Sequence, residues 1–415
     1  MSKYVINGCA ELKGKVKISG AKNSALKLIS ASIMADGAST IHNVPQIKDI
    51  EKIEQIIEKT GAKITVNGNS VTVDPTNINT HVLDKDLSEK IRASIVLAGP
   101  MLARFGEVTI YQPGGDLIGV RKIDDHLDVF RQFGVSINVE GEKYTLSGKP
   151  KGSEITLPKI SVTATENAIM LATLASGKST IHVAAAEPEI SDLTDYLNSM
   201  GAKIENRGHD IIVQGVEKLV GTEHTVIADR IEAGTFLMMA LATNSEIEIE
   251  NVNKNHLSLV LKVLREGGAK FEISDNSIRT KKHICLNSYD IDTRTYPGFP
   301  TDLQSVYAVY STQTSGSTRI FETLFESRFG YIEELKKMGA KINIESPHIV
   351  YIFGPDQLIG ANISSSDIRG GAALILAALL ANGTTTIDNV EQIERGYENI
   401  DQKLRNLGVT IAKEA

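Results

Sequence analysis

Tryptophan is absent from this 415-residue chain, and cysteine occurs only at Cys9 and Cys285. Two cysteines so far apart form neither a disulfide framework nor the paired spacing of a zinc site, and they fit a reducing cytoplasm. Long apolar runs are also missing. The most apolar stretch, "AALILAALLANG", falls short of the ~18 residues of a membrane span and reads as a buried helix. The opening "MSKYVINGCAELKG" has no apolar run of signal-peptide length. A cytoplasmic protein without membrane attachment is therefore expected. Excess positive charge is lacking too. The net charge of −7 argues against a general nucleic-acid surface and leaves room only for a local basic pocket.

What is present is the balance of a folded globular protein, with 41% apolar and 23% charged residues. The length exceeds one ordinary core, so two or three domains are expected unless a repeat organises the chain. A repeat is there. "TGAKITV", "FGVSINV", "MGAKIEN", "GGAKFEI", "MGAKINI" and "LGVTIAK" centre on Gly61, Gly134, Gly201, Gly268, Gly339 and Gly408. Their separations are 73, 67, 67, 71 and 69 residues, too regular for chance.

Each copy ends an amphipathic segment such as "DIEKIEQIIEKTG", with apolar residues three and four apart, so a helix stops at each glycine. Alternating residues follow and read as a strand pair. A second marker precedes each helix, as in "DGASTIHNV" and "NGTTTIDNV": a polar turn, then a short β-branched strand. Upstream of most copies lies an Ala/Leu-rich helix. One unit is thus βαβαββ. Units this small rarely bury enough alone, and three can share a core with helices inside and sheets outside. Six units then make two inside-out α/β domains with a cleft between them. A linear solenoid is the alternative, disfavoured because its repeats are shorter.

Several stretches carry candidate chemistry. Lys22 and Asn23 in "SGAKNSALKL" stand at a helix start, where free backbone N–H groups suit an anion such as phosphate; an ordinary surface lysine is the bland alternative. "ASGKST" imitates a P-loop, but Ala172 occupies the required glycine position and the element order is reversed. "IDDHLD" offers Asp124, Asp125, His126 and Asp128 as metal ligands. On a helix only Asp124 and Asp128 share a face well, so no metal site is expected. Asp302 follows the proline turn of "YPGFPTDLQS", where Thr301 or Asp302 could equally be a helix cap. Lys22, Arg92, Arg121, Arg328, Arg369 and Arg395 sit near unit junctions of an acidic protein. Lining a cleft, they would suit a multiply anionic small molecule. Asp116 ends the tight turn of "QPGGDLIGVRKIDDH" and is open to three readings: turn residue, metal ligand or active-site acid.

"GAKNSAL", "RASIVLAGPMLARFG", "PGGDLIGVR", "ATENAIM", "DRIEAGTFL", "FPTDLQ", "FESRFG", "SDIRGGAALILA" and "IERGYENIDQKLRNLG" together resemble the UDP-N-acetylglucosamine 1-carboxyvinyltransferases. These are the enolpyruvyl transferases that open peptidoglycan precursor synthesis. The resemblance runs from about residue 3 to 413. It implies two inside-out α/β domains of three βαβαββ repeats, residues 22–229 forming one and 1–21 with 230–415 the other, with the active site in the interdomain cleft. It also implies addition–elimination on phosphoenolpyruvate (PEP) with no metal and no cofactor, by a cytoplasmic monomer with small-molecule substrates only.

By motif match, Lys22, Arg121 and Arg395 hold the phosphate, and Arg328 and Arg369 stand near the PEP carboxylate. Arg92 supports the pocket, Asp367 supports the cationic cluster, and Asn23 touches substrate and intermediate. Asp302 is the base or hydrogen-bond partner for the acceptor hydroxyl. Asp124 and His126 belong to the uracil side, and Lys159, Ser161 and Val162 to the diphosphate loop.

Three departures from the family pattern matter. "RKIDDH" stands for the usual "RPVDLH", placing Lys122 and Asp125 at the Pro and Leu positions. "SVTATEN" stands for "SVGATEN", placing Thr163 at a glycine position. These two leave a different nucleotide or nucleoside acceptor as the alternative, with a non-catalytic nucleotide-sugar binder a more distant one. The third is Asp116, where the family carries its catalytic cysteine. A free thiol with pKa ~8.5 is mostly protonated at neutral pH, while a free aspartate with pKa ~3.9 is protonated about one part in a thousand. Donation by Asp116 therefore needs a setting that favours the neutral acid. Fosfomycin alkylates the family's cysteine, so a carboxylate here implies resistance.

Overall fold

The glycines at 61, 134, 201, 268, 339 and 408 all have φ between +80° and +103°. Side-chain-bearing residues rarely adopt that region, which is why one residue type recurs at these six helix ends. The computed structural model containing them describes residues 2–9, 11–116, 118–119 and 121–414. Leu117 and Val120 of "PGGDLIGVR" lie outside the described residues.

Each of the first five glycines releases the chain into a hairpin whose returning strand pairs with the strand that precedes the helix. In the first copy, Ser39–His42 pairs antiparallel with Ser70–Asp74, which pairs with Lys63–Asn67. Glu223–Thr225 adds in parallel on the other edge of Ser39–His42. The same order recurs in the sheets built on Lys178–His182 and Gly316–Phe321. The sheet of Glu107–Tyr111 has three strands and a parallel bridge from Val82 to Thr109. Strand residues alternate as a half-buried sheet demands: Val71 and Val73 are buried while their neighbours are partly exposed.

Two sheets borrow strands from the N-terminus. Lys13–Lys17 lies parallel to Glu246–Glu250. Lys3–Asn7 sits between Thr384–Asp388 and Ile411–Glu414, antiparallel to both, with Tyr4 opposite Ile387 on one side and Lys413 on the other. The sixth copy is thus completed by the first strand of the chain. Tyr4 and Ile6 are fully buried there, each contributing roughly 1.5–3 kcal/mol.

The chain divides into two compact units: Met1–Ser19, Asp116–Val120 and Ala228–Ala415 (unit one), and Gly20–Gly115 with Arg121–Ile227 (unit two). Against the expected boundaries, the crossings differ by two residues and the short 116–120 segment counts with unit one. Each unit has its own apolar core. In unit two the core helices include Lys22–Ser32 and Val162–Thr173; in unit one they are Arg230–Ala242, Gln304–Ser311 and Ile368–Leu380. Nearly every residue of these helices is buried; Arg230–Ala242 and Ile368–Leu380 are largely apolar, while Lys22–Ser32 and Val162–Thr173 also bury polar side chains such as Lys27, Glu166 and Asn167. Outer helices are amphipathic. Lys48–Lys59 buries Ile50, Ile53, Ile56 and Ile57, with Asp49 and Glu51 in its first turn and Lys59 in its last, matching the helix dipole. No described helix is long and apolar enough to cross a membrane.

The repeat glycines yield a graded test. At Gly201 a Cβ meets nothing within 4 Å, so Gly201→Ala carries only the backbone strain, roughly 1–2 kcal/mol. At Gly61 a Cβ falls 2.5 Å from the Asn77 carbonyl oxygen, so Gly61→Ala should lose more. Urea unfolding midpoints of the two variants check the order.

Candidate active site

In unit two, Lys22 opens the Lys22–Ser32 helix behind Ala21, which supplies no side-chain cap to the first-turn N–H groups. The Lys22 side chain is only 9% exposed, and its Nζ lies 2.8 Å from Asp49 Oδ2. Asp49 is itself buried in the first turn of the Lys48–Lys59 helix. The backbone carbonyl of Asn23 accepts from Lys27 Nζ at 2.9 Å.

The "PGGD" turn is built for close approach. A Cβ on Gly114 would fall 1.7 Å from the Glu89 carbonyl oxygen. Gly115 has φ +114°, and a Cβ there would fall 2.6 Å from an Arg121 guanidinium nitrogen and 2.9 Å from Arg92 Cβ. Arg121 therefore packs against bare backbone. Arg92 donates to the carbonyl oxygens of Arg121, at 2.5 Å, and Lys122, at 2.9 Å. Burial, and then the neighbouring Arg121 charge, push the Arg92 guanidinium down to about 10. Arg92 thus holds the backbone that carries Arg121.

The "IDDHLD" residues separate. Asp124 is the exposed first residue of the Asp124–Gln132 helix. Asp125 pairs with Lys159, Oδ2 to Nζ 3.2 Å, and Asp128 accepts from Gln132 at 2.7 Å. No group of three or more metal-type ligands occurs among the described residues.

His126, expected on the uracil side, is buried at 1% exposure and does not face solvent. Its Nε2 lies 3.1 Å from Thr163 Oγ1 and its Nδ1 lies 2.9 Å from Asn167 Nδ2. Both ring nitrogens thus face neutral partners inside the unit. The departure at Thr163 thus has a local reason, since its hydroxyl partners this histidine. Ser161 is the N-cap of the Val162–Thr173 helix without a side-chain cap bond, and Val162 is its half-buried first residue.

Unit one holds two clusters. In the first, Asp302 Oδ1 accepts from Arg328 Nη2 at 2.8 Å, and Oδ2 accepts from Arg369 Nε at 3.1 Å and Nη2 at 3.0 Å. Both arginine side chains are at most 5% exposed. Burial is the largest single effect on Arg369 and lowers it, but Asp302, Tyr397 and Asp229 together outweigh it and the net direction is up. Arg369 also lies over the Tyr397 ring, 5.2 Å from its centroid. Among the described residues, Arg328 Nε and Arg369 Nη1 are buried with no hydrogen-bond acceptor. Asp302 is no helix cap: Pro300 holds that position, and the Thr301 hydroxyl donates to Glu322 at 2.9 Å.

Asp367, expected to support the cationic cluster, N-caps the Ile368–Leu380 helix, accepting from the backbone N–H groups of Arg369 at 3.0 Å and Gly370 at 2.9 Å. It therefore acts on the arginine's backbone and not on its guanidinium.

The second cluster joins Asp116 to Arg395. Arg395 Nη1 donates to Asp116 Oδ1 at 2.6 Å and to Gln392 Oε1 at 2.9 Å. Downstream, the Ile118 carbonyl accepts from Ser327 N at 3.1 Å, and a Cβ on Gly119 would fall 2.5 Å from a Glu326 carboxylate oxygen. Asp116 is thus an engaged carboxylate on an arginine.

Sequence reasoning missed Asp49, because an acid in a first helical turn is ordinary. It also missed the pairing of Asp125 with Lys159; the opposite signs at two departure-rich loops were the available signal.

The sequence pattern of EPSP synthase (3-phosphoshikimate 1-carboxyvinyltransferase) matches residues 6–404. A UDP-N-acetylglucosamine 1-carboxyvinyltransferase of Halothermothrix orenii is 42% identical over 415 residues, 100% of both chains. UDP-N-acetylglucosamine 1-carboxyvinyltransferase 2 of Geobacillus kaustophilus is 40% identical over 100% of this chain and 97% of its own. Among solved structures, the enolpyruvyl transferase NikO from Streptomyces tendae superposes with a TM-score of 0.90 at 24% identity, covering 99% of this chain and 98% of that one. EPSP synthase from Acinetobacter baumannii superposes with a TM-score of 0.78 at 18% identity, covering 100% of both chains. These two likenesses concern the fold.

Burial makes a pH prediction for His126. Burial, and then the Arg92 charge, push it down to about 3, against 6.5 for an ordinary histidine. Between those values the unfolded chain binds the extra proton, so the stabilising contribution is complete above pH 6.5 and is lost as pH falls toward 3. His126→Gln should flatten the fall in unfolding free energy below pH 6, by up to about 1.4 kcal/mol per pH unit. Denaturant titrations at pH 5, 6 and 7 measure that slope.

Proposed function

The chain belongs to the EPSP synthase family, among the UDP-N-acetylglucosamine 1-carboxyvinyltransferases, and on that premise we propose how its own residues transfer enolpyruvyl from PEP to the 3-hydroxyl of UDP-N-acetylglucosamine. One observation carries the reading. Two buried guanidinium groups converge on Asp302 while each keeps a buried N–H that has no acceptor among the described residues. Such a pair is suited to take a second anion beside the first.

In this reading the substrate exchanges its anions for the protein's own. The PEP carboxylate takes N–H groups of Arg328 and Arg369. That loosens their hold on Asp302, whose free oxygen then orients and accepts the proton of the acceptor hydroxyl. The PEP phosphate takes Lys22 from Asp49 and Arg395 from Asp116, with Arg121 as a third cation. Asn23 contacts substrate and intermediate. Asp116, released from Arg395, is the acid that this reading assigns to C3 of PEP.

The steps then balance. The 3-hydroxyl oxygen adds to C2 of PEP as Asp302 takes its proton and Asp116 gives one to C3. In the resulting tetrahedral phospho-ketal, the C2–O bond to phosphate breaks, a C3 proton is lost to Asp116, and the proton that Asp302 took from the hydroxyl leaves with the departing phosphate. Phosphate and the enolpyruvyl ether leave. One C–O bond forms, one breaks, and the protons pass through Asp302 and Asp116 with no electron carrier required, so the reading assigns no metal or cofactor. Arg92 serves by holding the Arg121 backbone, and Asp367 by capping the helix of Arg369. We read the protein as a cytoplasmic monomer acting on two small molecules.

The acceptor half rests on Asp124, Ser161, Val162 and Lys159 at the nucleotide. His126 is left out of it because it is buried. The Asp125–Lys159 pair and the Thr163 hydroxyl on His126 favour, as a second reading, an acceptor other than UDP-N-acetylglucosamine. Phosphate release from PEP against a panel of UDP-sugars, nucleotides and nucleosides decides between them. Release with UDP-N-acetylglucosamine is expected; release only with another acceptor would remove the first reading, and none with any acceptor would leave a binder.

Two further outcomes concern Asp116. Asp116→Asn should lower kcat at least about 100-fold, the loss typical of a removed general acid; full activity would refute the proton role. Fosfomycin should leave the unmodified protein active, because a carboxylate is a poor nucleophile for it, and Asp116→Cys should introduce time-dependent inactivation.

A further inference from the structure

Lys22 and Asn23 stand on the first turn of a helix whose N-cap, Ala21, offers no side-chain acceptor. Something else must fix where that turn lies. The next residue, Ser24, is completely buried, and its hydroxyl donates a very short hydrogen bond to Asp192 Oδ2. Asp192 sits on the Pro188–Ser199 helix with a side chain 3% exposed. Its Oδ1 accepts from His224 Nε2 at 2.8 Å, and its Oδ2 also accepts from the backbone N–H of Ile227 at 3.4 Å. The Ile227 carbonyl in turn accepts from Ala21 N at 2.7 Å, one residue before Lys22.

One buried carboxylate therefore ties together three segments distant in sequence. The same helix holds the far end as well. Tyr196, four residues after Asp192, bonds through its hydroxyl to Ser32 at 2.7 Å, and its ring packs against His224 with centroids 5.4 Å apart. The Lys22–Ser32 helix is thus held at both ends by neighbouring residues on one face of Pro188–Ser199.

We infer that Asp192 is a positioning residue for the Lys22–Asn23 turn, acting through Ser24 and the Ala21–Ile227 backbone bond. The inference rests on the reading of Lys22 as a ligand of the PEP phosphate. An ionised carboxylate accepts hydrogen bonds only, and it satisfies all three donors at once. An amide in its place offers one acceptor oxygen and leaves a buried donor unmatched. A reacting group misplaced by about 1 Å costs on the order of 100-fold in rate, so even a small slide of this turn is measurable.

The test uses the full chain with Ser24→Ala, Asp192→Asn and the double variant. Steady-state phosphate release with UDP-N-acetylglucosamine is followed, and PEP binding is measured separately by calorimetry. Each single variant should lower kcat about tenfold and weaken PEP binding several-fold, while KM for the acceptor stays within twofold. The double variant should be no worse than Asp192→Asn alone, because both act through one contact. Should Asp192→Asn not fold, Ser24→Ala alone decides, since it removes a single hydroxyl. Folded Ser24→Ala with unchanged kcat and PEP affinity overturns the inference, as does an equal rise of both KM values. If the unmodified protein does not turn over UDP-N-acetylglucosamine, the functional reading fails on its own, and PEP affinity across the same variants still decides this one.

Discussion

A cation removed from water must keep an anion beside it, and the candidate site is organised around that constraint. Lys22 holds Asp49, Arg328 and Arg369 share Asp302, and Arg395 holds Asp116. Breaking such a buried pair from one side costs on the order of 3–5 kcal/mol, because a charge is left uncompensated. Exchange of one anion for another avoids that cost. Under the proposed reading, a substrate with a phosphate and a carboxylate is the kind of molecule that can make the exchange at every cation. The displaced aspartates are then free to handle protons. Binding and proton transfer become consequences of the same replacement.

The fold treats its helix starts unequally. Asp229 and Asp367 place carboxylates on the first N–H groups of two core helices in unit one. Ala21 and Ser161 make no side-chain cap bond at two core helices in unit two. Capping fixes a helix start and consumes its affinity for an outside anion; leaving it uncapped keeps that affinity and requires another anchor. Asp192 supplies such an anchor for Lys22–Ser32, and Asp367 shows the capped alternative at Arg369.

The repeat could be read from the sequence because it rests on backbone conformation. A left-handed helix end demands glycine, and six demands at near-equal spacing are visible without a structure. The charged residues of the site could also be nominated, since they stand in motifs. Their partners could not. Ser24 and Asp192 are 168 residues apart, and Asp302 and Arg369 are 67 apart, so only the packed cores bring them together. His126 shows another limit. Its place in the motif gave no sign that the ring is buried with Thr163 and Asn167 as its partners.

The strand Lys3–Asn7 has a consequence for the order in which the chain is made. Its partners, Thr384–Asp388 and Ile411–Glu414, follow nearly four hundred residues later. Meanwhile residues 20–227 contain a core of their own, apart from the short segment that counts with unit one. During synthesis that inserted unit can mature while Lys3–Asn7 still lacks both partners. Ile411–Glu414 then closes the sheet that Lys3–Asn7 began, so a chain cut before Ile411 leaves that strand with an open edge.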